Sequence, residues 1–439
     1  MAGFVEDTGP LSETRMTARA ILGMSAALLL AACASARPAP IVAGGGATAP
    51  RPPLAGPPAP ARPGPQAGDF LLAPAGFSDI PGWASADMAP ALAAFRRQCA
   101  AWGGRLYDDA LTGGRYGGKI GDWSAACQAA AVIRSGQERW FFENYFEPRQ
   151  VTGRGEAKLT SYFEPVISAS REWSPAFSEP LLKRPPDMVT VDLGAFAEAY
   201  DNDALRGAPR ALNGQLSGDR ILPYPKREAI TPFTGQVIGY AHPADVYNLQ
   251  VQGSGRLRFT DGTEARAQFS AQNGYRWNSA LGALRSSGRL VSPSWANFRA
   301  WLDQNPRDQK WALNADPSYV FFQEEPITDP ATGPRGAANI PLTAMGSIAI
   351  DPSYHPYGAL LFVTADYQGS GFARLMVAQD TGGAIRRGPN RGDVFAGTGS
   401  EAGAWAERMN ASNPLWWTLL PRNFDAPVAS GADSRPPPA

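Results

Sequence analysis

Apolar residues at Met88, Leu92, Phe95, Cys99 and Trp102 follow one another in steps of four and three, the spacing that puts them on one face of a helix. Trp123 and Cys127 stand one turn apart in a second helical stretch, and Trp140–Phe146 (WFFENYF) is a third, aromatic-rich segment. From Thr160 strand and turn signals take over. Leu159–Ile167 (LTSYFEPVI) is rich in β-favouring residues and is stopped by Glu164-Pro165, as expected where a strand meets a domain boundary. Leu257-Arg258-Phe259 followed by Thr260-Asp261-Gly262-Thr263 predicts a hairpin, with Asp-Gly supplying the tight turn. Two short helices are expected, one marked by Trp277, Leu281 and Leu284 and ending near Gly288. The other is marked by Trp295, Phe298 and Leu302, after Ser292-Pro293 and before Pro306. Strands are predicted again at Tyr319–Phe322, Ser347–Ile350, Leu360–Val363, Ala373–Asp380 and Trp416–Leu420. Gln250–Gly255 (QVQGSG) alternates amides with Val, which reads as a strand with both glutamines on one face. Such a face suits sugar hydroxyls and acetamido groups, or is simply a solvent-facing edge.

The candidate chemistry concentrates between Leu375 and Ala404, where Asp380 and Asp393 are set into glycine-rich backbone. Gly382-Gly383 lets the chain turn directly after Asp380, and Val394-Phe395 after Asp393 runs into Gly397-Thr398-Gly399, read as a turn entering a helix. Two acids at adjacent strand ends predict a cleft fit for acid/base work. The plainer reading makes Asp380 a turn former and Asp393 a solvated loop acid. Asp380-Thr381-Gly382 matches the aspartic-protease triplet, but the chain has no second Asp-Thr-Gly or Asp-Ser-Gly, so only a homodimeric enzyme of that kind would remain.

Composition narrows the classes further. The 439 residues suffice for two domains plus tails, and forty basic and forty acidic residues cancel, so no field gathers nucleic acid. Only two histidines, His242 and His355, are present, which counts against a His-based zinc site or a Ser-His-Asp triad. Arg15 and Arg19 precede the apolar run Ala20–Ala32, which is too short to span a bilayer comfortably but suits a signal peptide, with Met16 as an alternative start. The run ends in Leu30-Ala31-Ala32-Cys33, which resembles a bacterial lipobox. Lipidation of Cys33 is therefore expected, and Ala34 in place of Asp points to the outer membrane; an ordinary cleaved signal peptide is the alternative. Residues 34–69, dominated by Pro, Ala and Gly, are a tether that cannot build a core. In an exported chain the remaining pair, Cys99 and Cys127, is expected to form a disulfide stapling two helices, with two buried free thiols as the alternative.

Taken together, the segments resemble the membrane-bound lytic murein transglycosylase A (MltA) family with its C-terminal 3D domain. Leu159–Pro165 (LTSYFEP) is similar to the family's LT-G/S-YY/F-x-P segment, Tyr247–Gly255 (YNLQVQGSG) to its QGSG element, and Asp316–Phe322 (DPSYVFF) to its N-P-S-Y/F-V-F-F run. Asp351, Asp380 and Asp393 align with its three named aspartates, and Ala315-Asp316 departs from the usual Gln-Asn. The resemblance spans roughly residues 85 to 422. It implies a mainly β protein with a few helices: a double-ψ β-barrel from 70–165 and 314–425, interrupted by a small β-domain at 166–313; residues 426–439 themselves read as a disordered tail. It implies cleavage of the β-1,4 bond between N-acetylmuramic acid and N-acetylglucosamine of peptidoglycan without water, leaving a 1,6-anhydromuramoyl end. Asp393 aligns with the catalytic acid and Asp380 supports it. Asp351 is structural, and Thr160, Tyr162, Gln252, Gly253 and Ser254 are sugar-contact candidates. No cofactor, metal or nucleic acid is implied; the partners are glycan strands and, through the lipid, the outer membrane facing the periplasm. The rival classes are a non-catalytic peptidoglycan-binding lipoprotein and a hydrolytic muramidase, for which Asp380 or Glu164 would supply a second carboxylate.

Overall fold

The computed structural model describes residues 70–422 apart from 202–204, 206–210 and 368–369. The expected leader 1–33 with Cys33, the tether 34–69 and the tail 426–439 lie outside the described residues.

Leu360–Tyr367 and Ser370–Asp380 are apolar on both faces, the pattern of strands covered on two sides. On one side Leu360, Phe362, Leu375 and Val377 pack with Trp417 and Leu419 against Phe95, Trp102, Trp123, Phe141 and Phe142. The helices on this side are Ala89–Trp102, Ser124–Val132 and Glu138–Tyr145; the first and third carry all of those aromatics except Trp123, which lies in the short turn before the second. A disulfide joins Cys99 to Cys127 across the first two of these helices. On the other side Leu361, Val363, Met376 and Ala378 meet Ile348, Ile350, Leu159, Val394 and Trp416.

These two strands stand in a nine-stranded sheet. Its order is Phe70–Pro74, Phe146–Gly153, Leu415–Pro421, Leu360–Tyr367, Ser370–Asp380, Ser347–Ile350, Arg391–Thr398, Lys158–Glu164 and Asn410–Ser412. Most neighbours are antiparallel. Ser347–Ile350 runs parallel to Ser370–Asp380, and Arg391–Thr398 parallel to Lys158–Glu164, so distant parts of the chain are brought side by side.

Pro165 divides the LTSYFEPVI run. Without an N–H it cannot extend a ladder, and the chain leaves the first sheet at Glu164 and enters a second as Val166–Ser170. This six-stranded sheet has the order Val320–Glu325, Glu264–Gln272, Gly255–Phe259, Val166–Ser170, Val237–Ala241 and Glu179–Leu182. The Asp261-Gly262 turn joins two of its strands, with Gly262 at φ +85°. The expected division placed 314–325 with the barrel; instead Val320–Glu325 pairs with Glu264–Gln272, because its Phe322 belongs to this sheet's core.

One further expectation is corrected, and one element was unforeseen. Gln250 and Gln252 do not share a strand face: they close the helix Pro243–Gln252, which ends at Gly253 with φ +86°. Pro243 in the first turn and glycine just past the end are the usual helix boundaries, and they override the local polar alternation. A three-stranded ribbon, Met188–Asp192, Ala211–Ser217 and Arg220–Pro223, was not expected at all.

Candidate active site

Four strand pairings place five residues in one row across the first sheet. Asp380 is opposite Ala349, Ala349 opposite Asp393, Asp393 opposite Thr160, and Thr160 opposite Asn410. Directly paired residues point to the same side of a sheet, and strands lie ~4.8 Å apart, so the two aspartates face one side with their backbones roughly 10 Å apart. The residue between them in the row is Ala349. The strands of the two acids are thus not adjacent, as the sequence had suggested. Asp380 does end its strand, whereas Asp393 is the third residue of Arg391–Thr398 and not at a strand-loop joint.

The two carboxyl groups have different surroundings. The Thr160 hydroxyl donates to Asp393 Oδ1 at 2.5 Å. Burial raises the Asp393 pKa to about 6; the Thr160 hydrogen bond and the Arg391 charge pull it down, and the Asp380 charge adds to the rise. Asp380 is also raised by burial, against which it accepts three hydrogen bonds. The Tyr162 hydroxyl donates to Oδ2 at 2.7 Å, and the backbone N–H groups of Ala337 and Thr381 donate to Oδ1 at 2.9 and 2.8 Å. Tyr162 lies two residues beyond Thr160 on the same strand face and stacks obliquely on Phe395, 5.4 Å between ring centres. Its pKa is held well above the usual phenol value, first by burial and then by Asp380, so it remains a donor.

The third named aspartate, Asp351, is buried just past the end of Ser347–Ile350. Its carboxylate accepts from the backbone and hydroxyl of Ser353 and, at 3.1 Å, from Gly388 N–H. His355, four residues on, works on the same loop: Nε2 lies 2.7 Å from the Pro389 carbonyl, so it carries the proton, and Nδ1 accepts from the Tyr116 hydroxyl at 2.7 Å. Burial lowers the His355 pKa to about 4. Asp351 and His355 therefore hold the turn Gly388-Pro389, which leads into the Asp393 strand. Nothing in the local sequence around His355 signals this.

Glu164 is fully buried at the junction of the two sheets. Arg256 Nε reaches it at 2.9 Å, Arg266 Nε at 2.7 Å and the Thr398 hydroxyl at 2.6 Å. The other candidates lie on the second sheet's side of that junction. Gln252 accepts from the Phe163 N–H at 3.2 Å. Ser254 is buried and accepts from Phe269 N–H at 3.0 Å, while Gly253 faces open space where a side chain would project. Thr160, Tyr162, Asp380 and Asp393 thus form one cluster, to which Gln252 is linked through the backbone next to Tyr162.

Among the described residues no three His, Cys, Asp or Glu side chains cluster so as to hold a metal, and no helix is long and apolar enough to cross a membrane. Comparison with known proteins finds the MltA specific insert domain over residues 158–323 and the 3D domain over 346–417, together more than half of the chain. The Membrane-bound lytic murein transglycosylase A of Escherichia coli (strain K12) is 28% identical over 273 residues, 60% of this chain and 65% of that protein. The chain thus matches just under two thirds of that relative's length. Its counterpart in Vibrio cholerae serotype O1 is 27% identical over 302 residues, 65% of this chain and 72% of that protein. Among solved structures, MltA from Neisseria gonorrhoeae in its monoclinic form superposes with a TM-score of 0.68 at 29% identity, covering 85% of this chain and 98% of that one. The membrane-bound lytic murein transglycosylase from Agrobacterium tumefaciens gives 0.65 at 29%, covering 80% and 98%. The fold is shared with E. coli MltA with bound chitohexaose, at 22% identity and a TM-score of 0.54 over 82% of this chain and 99% of that one. With two family domains in the expected order, the same fold and relatives of one kind, this chain belongs to the membrane-bound lytic murein transglycosylase A (MltA) family.

Proposed function

We propose that the protein is a lytic transglycosylase that cleaves the β-1,4 bond between N-acetylmuramic acid and N-acetylglucosamine in peptidoglycan. The observation that carries this reading is a single available acid. Asp393 has a pKa raised to about 6, so at mildly acidic pH it can both give and take a proton. Both oxygens of Asp380 are already engaged, and Glu164 is locked between two arginines, so neither is free to serve as a nucleophile or to activate water.

One carboxyl suffices when the substrate attacks itself. Asp393 gives its proton to the glycosidic oxygen as the bond from that oxygen to muramoyl C1 breaks and the electron pair stays on the leaving sugar. The C6 hydroxyl of the same muramoyl unit then bonds to C1, and its proton returns to the Asp393 carboxylate. The products are a free 4-hydroxyl and a 1,6-anhydro ring, with no water consumed. In this reading Thr160 tunes and orients Asp393, and Asp380 with Tyr162 fixes the neighbouring wall. Asp351 serves structurally through Gly388, and Gln252, Gly253 and Ser254 border the glycan groove. The names of the relatives and the oligosaccharide bound to E. coli MltA support a glycan substrate. We further read the first sheet as a double-ψ β-barrel, residues 1–33 as a lipoprotein leader ending at Cys33, and the site as periplasmic on the outer membrane.

Mass spectrometry of digested cell-wall sacculi tests the reading. Anhydromuramoyl ends are expected; reducing ends would make the protein a hydrolase, and release of no fragment would make it a binding protein.

A further inference from the structure

The loop Thr381–Asn390 joins the strand of Asp380 to the strand of Asp393, so it rims the proposed site. It carries consecutive arginines, Arg386 and Arg387, and Arg391 follows at the start of the next strand. One carboxylate serves two of the three: Glu156 Oε2 lies 3.5 Å from Arg387 and 3.6 Å from Arg391. Arg386 has no carboxylate and no hydrogen-bond partner among the described residues, and its Nε is shielded from solvent without a partner. Burial raises the Tyr357 hydroxyl pKa, and the Arg386 charge acts against that rise.

The loop backbone is fixed. Glu156 N–H donates to the Arg387 carbonyl at 2.9 Å, and a side chain at Gly155, where φ is +135°, would stand 2.6 Å from that same oxygen. A partly desolvated guanidinium on a fixed loop, with no counter-charge among the described residues, is arranged for an anion. If the substrate is peptidoglycan, the sugar backbone itself is uncharged, and the anionic groups hang from the muramoyl unit: a lactyl carboxylate where the peptide is absent, peptide carboxylates where it is present.

Resting on the proposed substrate, we propose that Arg386, beside Tyr357, binds a carboxylate borne by the muramoyl unit and so makes the protein prefer peptidoglycan to uncharged β-1,4-linked N-acetylglucosamine chains. A charge-assisted pair of this kind is worth roughly tenfold or more in affinity.

The test measures dissociation constants by calorimetry with full-length protein carrying Asp393→Asn, which removes the chemistry, with and without Arg386→Gln or Arg386→Lys. The probes are peptide-bearing glycan strands, peptide-free strands with free lactyl groups, and chitohexaose. Arg386→Gln is expected to weaken binding of anionic strands about tenfold, more at low salt than at high, and to leave chitohexaose unchanged; Arg386→Lys should recover part of the loss. Loss only with peptide-bearing strands assigns the carboxylate to the peptide, and loss only with peptide-free strands assigns it to the lactyl group. Equal weakening of all three probes, or of none, overturns the proposal. Because binding is read without turnover, failure of the wild-type protein to form anhydro ends would sink the proposed function and leave this result standing.

Discussion

Thr160→Val removes one hydroxyl and little else, since the two side chains have nearly the same shape. In the wild type that hydroxyl donates to Asp393 Oδ1 at 2.5 Å and pulls the pKa down, while burial, the larger effect, sets the net value at about 6. A hydrogen bond to a charged group is worth about 1.5–3 kcal/mol, and one pKa unit about 1.4, so the variant's Asp393 should titrate about one to two units higher. The assay is release of anhydromuropeptides from sacculi, as kcat/KM against pH. If protonated Asp393 starts the reaction, activity falls as pH rises through its folded pKa, and in the variant that alkaline limb moves up by about one to two units. At about pH 8 the variant should then retain a larger fraction of its own maximum than the wild type does. An alkaline limb that stays in place, or moves to lower pH, would refute both the assignment of Asp393 as the acid and the tuning role of Thr160.

Asp393→Asn should form no anhydro product yet be more stable than the wild type. Its carboxylate is penalised by burial in the folded state, a cost that is absent below the unfolded pKa near 3.8, grows as pH rises through about 6 and is complete above it. The gain should reach at most about 3 kcal/mol at neutral pH and vanish in acid, as read by urea unfolding at two pH values. Glu164→Gln leaves Arg256 and Arg266 without their shared carboxylate and should cost about 3–5 kcal/mol in the same assay. Replacing Cys99 and Cys127 by serine opens a loop spanning 28 residues and should cost about 3–4 kcal/mol on the chain-entropy estimate, while turnover well below the melting temperature is preserved.

The elements legible in the sequence were those whose signals are local. Met88–Trp102 has an unbroken apolar stripe, Asp261-Gly262 permits few structures other than a tight turn, and Gly382-Gly383 ends the Asp380 strand wherever that strand goes. Gln250–Gly255 was misread because alternation over a few residues outweighed His242-Pro243 and Gly253, the boundary signals of a helix that were present in the same stretch. Other features were illegible for a different reason. Glu164 meets Arg256 and Arg266, 92 and 102 residues away, and no pattern around Glu164 names such partners. The same holds for His355, whose imidazole meets the Pro389 carbonyl 34 residues away. The motifs placed Asp380 and Asp393 together, but that Ala349 stands between them depends on pairings no linear reading supplies.

On the proposed function, the row through Asp380, Ala349, Asp393 and Thr160 also bears on when the protein becomes dangerous to its own cell. Thr160 and Asp393 are 233 positions apart, so their parallel pairing closes one of the longest loops in the chain. Contacts of such range form late, because the entropy of closing the loop has to be overcome before they stabilise anything. Until then Asp393 is a solvated aspartate with an ordinary acidity, ionised at neutral pH and unable to protonate a glycosidic oxygen. On the proposed function, an acid that exists only in the finished fold gives an unfolded or half-folded chain no means of cutting a wall, whatever else restrains it.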